Sequence, residues 1–214
     1  RNVKIVVPKR GGKKKLVGAA LQNARQRLED ESAKERHDLE QRRIMTQELS
    51  RRVGADRLLR RIVGFDISTI QGRNTVGAVV SFMDAKPDRS NYRKYIIRGV
   101  GKDDFSSLRE MAARHIRHVL DGAVEKPDLI IVDGGRGQLS AVEEGIRASG
   151  YTGRISMIGY AKGTGVSYVS GESTPIIFSD DEPAARLVQR VIAEAHRFAL
   201  TFHRKKRGKK MLES

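Results

Sequence analysis

Cysteine and tryptophan are absent from this chain of 214 residues, and aromatic residues make up only 5% of it. The lack of cysteine excludes disulfides and thiolate metal sites, and it fits a reducing, cytoplasmic setting. The scarcity of aromatics excludes base stacking as the main way of gripping a nucleic acid. No apolar run reaches the roughly 18 residues of a membrane-spanning helix, so no membrane span is expected. The start, Arg1-Asn2-Val3-Lys4, has neither a methionine nor a signal-like apolar stretch, and the chain reads as a piece of something longer. No zinc spacing and no Ser-His-Asp order stands out.

Basic charge is what the chain has in excess. Lysine and arginine number 42 against 26 acidic residues, a net +16. A field of that sign draws polyanions to the surface, and nucleic acid is the first candidate partner. The length accommodates one good-sized domain plus an appendage.

Two grammars divide the chain. Residues 3–7 form a short strand-like run closed by Pro8, and the cluster Lys9, Arg10, Lys13, Lys14 and Lys15 reads as a basic loop. Residues 16–60 read as a long, polar helical extension with sparse apolar positions, suited to bridging rather than to a packed core. From Arg61 onward strands dominate. Residues 62–67 and 76–83 are apolar, joined through the turn-rich Gln71-Gly72-Arg73-Asn74. Residues 92–98 alternate, with Tyr92, Lys94 and Ile96 on one face and Arg93, Tyr95 and Ile97 on the other. Asp103 can cap a helix running to about Leu120. Residues 129–132 and 155–159 are short apolar strands of the kind buried in parallel sheets, with a helix over 138–149 between them. Residues 166–178 read as a hairpin turning near Gly171, and Pro183 opens a last helix reaching to about Lys206. The resulting fold class is α/β. It is a ribonuclease H-like mixed sheet, three antiparallel strands followed by parallel ones, flanked by helices and preceded by the helical extension. The expected divisions are 1–60, 61–207 and a tail at 208–214.

Two acidic residues are out of keeping with their surroundings. Asp66 interrupts the apolar run Ile62, Val63, Phe65, Ile67, where an uncompensated carboxylate costs several kcal/mol. Asp133 ends the strand Leu129-Ile130-Ile131-Val132 and precedes Gly134-Gly135, at the end of the sheet where α/β proteins bind ligands. Each alone reads equally as a turn former or helix cap. Together, on strands that such a sheet sets side by side, they point to Mg²⁺ or Mn²⁺ held by oxygen. On the last helix His196 stands at the edge of a broad apolar face. Asp133-Gly134-Gly135-Arg136-Gly137-Gln138 lacks the Gly-Lys-Ser/Thr ending of a nucleotide-binding loop. Ala161-Lys162-Gly163-Thr164-Gly165 reads as a flexible basic loop near the active face.

Five ordered strings carry a resemblance. They are Phe65-Asp66-Ile67-Ser68; Gln71-Gly72 with Asn74-Thr75-Val76; Asp103-Asp104-Phe105 with Arg109-Glu110; Asp133-Gly134-Gly135 with Gly137-Gln138-Leu139; and Glu194-Ala195-His196-Arg197-Phe198-Ala199 with His203-Arg204. Over residues 61–207, and more loosely over Pro8-Lys9-Arg10-Gly11 and the helix behind it, the chain resembles the C-terminal half of the UvrC family of excinucleases. The resemblance implies a ribonuclease H-like endonuclease that makes the 5′ incision beside a DNA lesion in nucleotide excision repair. It implies work with UvrB, downstream of UvrA, and an Asp66, Asp133 and His196 site. His196 there is a metal ligand or a proton carrier. It also implies Asp104 as a further carboxylate of the same incision, with Asp103 as the cap. Lys94, Arg109, Arg136, Lys162, Arg197 and Arg204 are candidate phosphate contacts. The family's GIY-YIG module and helix-hairpin-helix tail are expected outside this stretch. The competing readings are a non-catalytic scaffold that binds DNA and docks UvrB, and a different ribonuclease H-like nuclease such as a junction resolvase or transposase.

Overall fold

The computed structural model describes residues 7–70, 74–97 and 103–210. Residues 3–6 of the expected first strand, the turn at 71–73 and Arg98 lie outside them. Two compact units divide the chain, Arg1–Gln41 and Arg42–Ser214. In the first, the helical residues are almost all exposed, including Leu16, Leu21, Leu28 and Leu39.

Helix α1 (Gly11–Arg52) begins earlier and ends earlier than the composition implies. The lysines at 13–15, expected in a loop, are helical, as good helix formers without a β-branch can be. The helix stops at Arg52 because Gly54 is left-handed, with φ of 66°. The amides of Gly54 and Ala55 then turn back to the carbonyls of Arg51 and Ser50, at 3.2 and 2.9 Å, the pattern of a Schellman cap. Within the second unit, Leu49 and Val53 pack into the core, while Ser50 Oγ accepts the Leu59 amide at 3.0 Å.

Among the described residues eight strands follow: β1 (Arg61–Ile70), β2 (Asn74–Met83), β3 (Lys86–Pro87), β4 (Arg93–Ile97), β5 (Leu129–Asp133), β6 (Ser156–Ala161), β7 (Val166–Val169) and β8 (Ile176–Ile177). They form one mixed sheet in the order β3-β2-β1-β5-β6-β7-β8, and β4 also pairs with β2. The expected architecture is present. β1, β2 and β4 run antiparallel in turn, and β5 and β6 then continue parallel to β1. The anticipated hairpin near Gly171 is the β7–β8 pair. Sequence reading misses β3. It also misses the antiparallel pairing of β6 with β7, because the loop at 162–165 hides a tight turn.

Strand alternation sorts side chains to two faces. Val63, Phe65, Ile130 and Val132 face α2 (Asp104–Leu120) and α3 (Arg136–Ala148). Ile62, Leu129, Ile131 and Ile158 face α4 (Pro183–Lys210) and the end of α1. As expected, Asp103 caps α2, accepting the Ser106 amide at 2.8 Å. α3 starts two residues before the expected Gln138. α4 opens on proline, and Glu48 from α1 accepts the Ala184 amide at 2.9 Å, closing its N-terminus.

One titratable ring is sealed on the α2 face. His115 is 2% exposed and stands edge-on to Phe65, with the Tyr95 hydroxyl 3.0 Å from Nδ1. Burial, then the nearby His118 and Arg93, push its pKa down to about 4. The unfolded chain therefore takes up a proton between pH 6.5 and 4 that the folded one refuses, so this contribution is complete above pH 6.5 and lost as pH falls through that window. The stability advantage of wild type over His115→Phe should narrow by about 2 kcal/mol between pH 7 and pH 5 in urea titrations. A constant difference would show that the ring does not stay neutral in the fold.

Candidate active site

On β1 the residues facing α4 are Ile62, Gly64 and, next in alternation, Asp66. On β5 they are Leu129, Ile131 and Asp133. The two strands pair in parallel up to Phe65 and Val132, so Asp66 and Asp133 are the next neighbours, past the end of the shared ladder. Both carboxylates therefore emerge at one end of the sheet, on one face. The row extends outward in register: Asp66 lies opposite Ala78, Ala78 opposite Lys94, and Asp133 opposite Tyr160.

α4 crosses this face at short range. Gly64 permits the approach, since a Cβ there would lie 2.6 Å from Val191 Cγ1. Five residues on from Val191, His196 places Nδ1 3.9 Å from Asp66 Oδ1, the distance of an ion pair rather than a hydrogen bond. The structure thus brings Asp66, Asp133 and His196 to one place.

Asp66 is 6% exposed, and its Oδ2 is buried without a hydrogen-bond partner among the described residues. Burial raises its pKa to about 6; the His196 ring opposes the shift, and the Asp133 carboxylate adds to it. A buried anionic oxygen with no donor, beside a second carboxylate, is a hard-cation donor set, and Mg²⁺ or Mn²⁺ fits it. Among the described residues no three His, Asp or Glu side chains converge into a finished cage. Two carboxylates and a nearby imidazole leave ligand positions for water and substrate oxygen, the usual habit of Mg²⁺.

The remaining expected residues fall in different places. Asp104 is exposed in the first turn of α2, and among the described residues no hydrogen bond or ion pair joins it to the three. α2 nevertheless begins at the same end of the sheet, because it follows β4, which runs parallel to β1. Lys94 shares the Asp66 row, and its Nζ donates to Thr201 on α4 at 3.0 Å while lying over the Phe198 ring. Lys162 borders the same cavity as Asp133 and His196. Arg136 opens α3, where it donates to the Ser173 carbonyl at 2.8 Å and stacks on Tyr168, beside a separate shallow cavity. Arg109 is not at the site. It pairs with Glu144 at 2.7 Å, tying α2 to α3 on the opposite face. Arg197 donates two 2.6 Å hydrogen bonds to Glu194, which also accepts from the Tyr92 hydroxyl at 2.9 Å. Arg204 lies in α4, but its side chain is outside the described residues.

Sequence reading overlooks Tyr160, Phe178, Asp180 and Gln189, which line the cavity beside Asp133. One signal is available. Gln189, Ala193 and His196 recur at helical spacing, so whatever His196 faces, Gln189 faces too.

A mixed sheet of this strand order, with paired acidic residues at one end and a helix laid across them, defines the ribonuclease H-like class. Comparison with known proteins narrows this. Residues 50–200 match the family model described as the UvrC RNAse H endonuclease domain, and the chain belongs to that family. It is 38% identical over 217 residues to UvrABC system protein C of Salinibacter ruber, covering 99% of this chain and 34% of that protein. The protein of the same name from Gemmatimonas aurantiaca is 39% identical over 211 residues, covering 98% and 34%. The chain thus spans about a third of the length of these relatives. Among solved structures, Endonuclease V of Ciona intestinalis, in complex with a DNA containing inosine, aligns over 82% of this chain and 99% of its own. The identity is 13% and the TM-score 0.45.

The unpaired carboxylate leaves a thermodynamic signature. Because the folded pKa lies above the ordinary 3.8, ionised Asp66 destabilises the fold at neutral pH by about 3 kcal/mol, an effect that disappears as pH falls from 6 to 3.8. Asp66→Asn should therefore be more stable than wild type at pH 7 without divalent metal, by up to about 3 kcal/mol, with the gap closing on acidification. A variant less stable than wild type at pH 7 would contradict this account.

Proposed function

We propose that this chain is the metal-dependent nuclease domain that hydrolyses a phosphodiester bond on the 5′ side of a lesion in double-stranded DNA during nucleotide excision repair. In this reading it works in the cytoplasm with UvrB, after UvrA has acted. The observation that carries the reading is the buried Asp66 Oδ2, unpartnered among the described residues and beside Asp133, with His196 Nδ1 3.9 Å from the other oxygen, Oδ1. A buried carboxylate of raised pKa costs stability, and in a nuclease family a cation-binding role accounts for keeping it.

Asp66 and Asp133 would hold Mg²⁺ or Mn²⁺, which when bound lowers the pKa of water and neutralises charge on a phosphate. Asp66 is fixed by its strand and by α4, so its oxygens need little reorganisation when a phosphate arrives. His196 has its ring more than half exposed, within reach of solvent and of Asp66. That position suits an added ligand or a group that moves a proton at the attacking or leaving oxygen. Lys162 on the cavity rim places a cation where the DNA backbone would pass, and the net +16 draws the duplex in.

Asp66→Asn and Asp133→Asn should each lower incision by roughly a thousandfold or more, the scale of losing a group that stabilises transition-state charge, while folding persists. Mg²⁺ should raise the Tm of wild type and of neither variant. A Mn²⁺-soaked crystal should show an anomalous peak between the two carboxylates. If His196→Ala keeps that peak but loses incision, the imidazole serves as a proton carrier; loss of the peak makes it a ligand. Normal incision by either Asn variant would refute the proposal.

A further inference from the structure

Gln189, Ala193 and His196 form one stripe of α4, and that stripe is a wall of a cavity of about 580 Å³ opening beside Asp133. Tyr160 on β6, Phe178 after β8 and the turn at 162–165 close the other sides. Tyr160 and Phe178 are each 3% exposed, so they back the cavity as part of the core rather than offering it open ring faces. The cavity lining mixes apolar residues with the polar Asp133, Lys162, Thr164, Asp180, Gln189 and His196. The Gln189 amide is fixed, donating to the Tyr160 hydroxyl at 3.2 Å and to Asp180 Oδ1 at 2.8 Å. A volume between about 300 and 1,000 Å³ with oriented polar groups is the size of a small-molecule subsite.

The cavity shares Asp133 and His196 with the carboxylate site, so its occupant must be contiguous with the bond that is cut. Next to a scissile phosphate, the group with flat apolar faces and hydrogen-bonding edges is a nucleobase. We propose that one unstacked nucleobase of the incised strand, adjoining the cut, enters this cavity and fixes the phosphate against Asp66 and Asp133. The proposal rests on the nuclease reading above. It supplies positioning that a metal and lysines do not, since they grip any phosphate equally. It also supplies selectivity, because drawing out a base costs least where the duplex is already distorted.

The turn that forms the rim suits this role. Gly163 and Gly165 both have positive φ, and a Cβ at Gly165 would fall 2.4 Å from the Phe178 carbonyl oxygen. The turn is thus pressed onto the wall that Phe178 provides, with exposed Lys162 at its edge. Composition alone reads it as a flexible basic loop. In the fold it is a hairpin turn that sets the mouth of the cavity.

Ala193 is exposed and takes no part in the chemistry, so Ala193→Phe fills the cavity without disturbing the core. The test uses the full-length protein with its partners on a lesion-bearing duplex. 2-Aminopurine is placed in turn at each position flanking the mapped cut, with Ca²⁺ replacing Mg²⁺ to hold the DNA intact. Emission should rise severalfold at one position with wild type and stay flat with Ala193→Phe. In Mg²⁺ the variant should lose about tenfold or more in kcat/KM, the scale of losing one base contact. Its Tm, and the rise of that Tm with Mg²⁺, should be unchanged. Wild-type incision with no unstacked position, or an Ala193→Phe variant with unchanged kcat/KM, would overturn the pocket reading alone. Normal incision by Asp66→Asn would remove the nuclease reading and this one with it.

Discussion

A carboxylate with one oxygen left unpartnered inside a hydrophobic sheet is the constraint that the rest of this domain accommodates. Asp66 lies in β1 between Phe65, which is in the core, and Ile67, which packs against it. Left to water, an aspartate at this position would have an ordinary pKa and no particular use. It is buried because α4 lies directly over the sheet, and α4 can lie there because β1 has glycine at position 64. The opposite face uses the same device. A Cβ at Gly77 would meet Met111 at 2.3 Å, and one at Gly145 would meet the Arg109 carbonyl oxygen at 2.3 Å. Missing methyl groups thus bring helices close on both sides, and the sheet between them has little freedom to move its acidic residues apart.

The same packing decides which cations are committed elsewhere. A chain with sixteen more basic than acidic groups would be expected to offer phosphate contacts everywhere. Several of the described cations are committed instead. Glu194 engages Arg197 beside His196, Glu144 engages Arg109 on the opposite face, and Arg136 is stacked on Tyr168. These pairs are at least partly exposed, and each is worth little to stability. Their effect is on shape and on where positive charge is presented. Among the described residues, Lys162 lines the mouth of the cavity and Lys94 lies in the Asp66 row.

How much of this is legible in the sequence follows from what each signal depends on. Asp66 and Asp133 can be read because a polar residue in a strand-length apolar run is conspicuous locally, and because strand order alone places β1 beside β5. The β6–β7 pairing is hidden because a Lys-Gly-Thr-Gly turn and a flexible loop have the same composition. The end of α1 at Arg52 depends on a capping pattern around Gly54, which composition over residues 16–60 averages away. Arg197 reads as a phosphate contact although Glu194, three residues earlier, gives warning of a partner. Arg109 gives no such warning, because Glu144 comes from another helix. His196 rises above an ordinary helix-edge histidine only through the family resemblance. Its approach to Asp66 depends on the angle at which α4 crosses β1, which no local pattern encodes.

The cavity is invisible in the sequence for the same reason, and its position bears on how the site is assembled. Tyr160 belongs to the cross-strand row that contains Asp133, and Gln189 belongs to the α4 stripe that contains His196. The hydrogen bond between the Gln189 amide and the Tyr160 hydroxyl therefore joins the strand row to the helix stripe one step away from the chemistry. A shift of α4 along the sheet would break that bond and move His196 from Asp66 together. His196 and the cavity wall are thus positioned by one helix against one sheet, so an occupant of the cavity would report directly on the register of His196 against Asp66. A surface of scattered lysines could bind DNA as tightly, but it could not couple what is bound to the distance between the imidazole and the carboxylate.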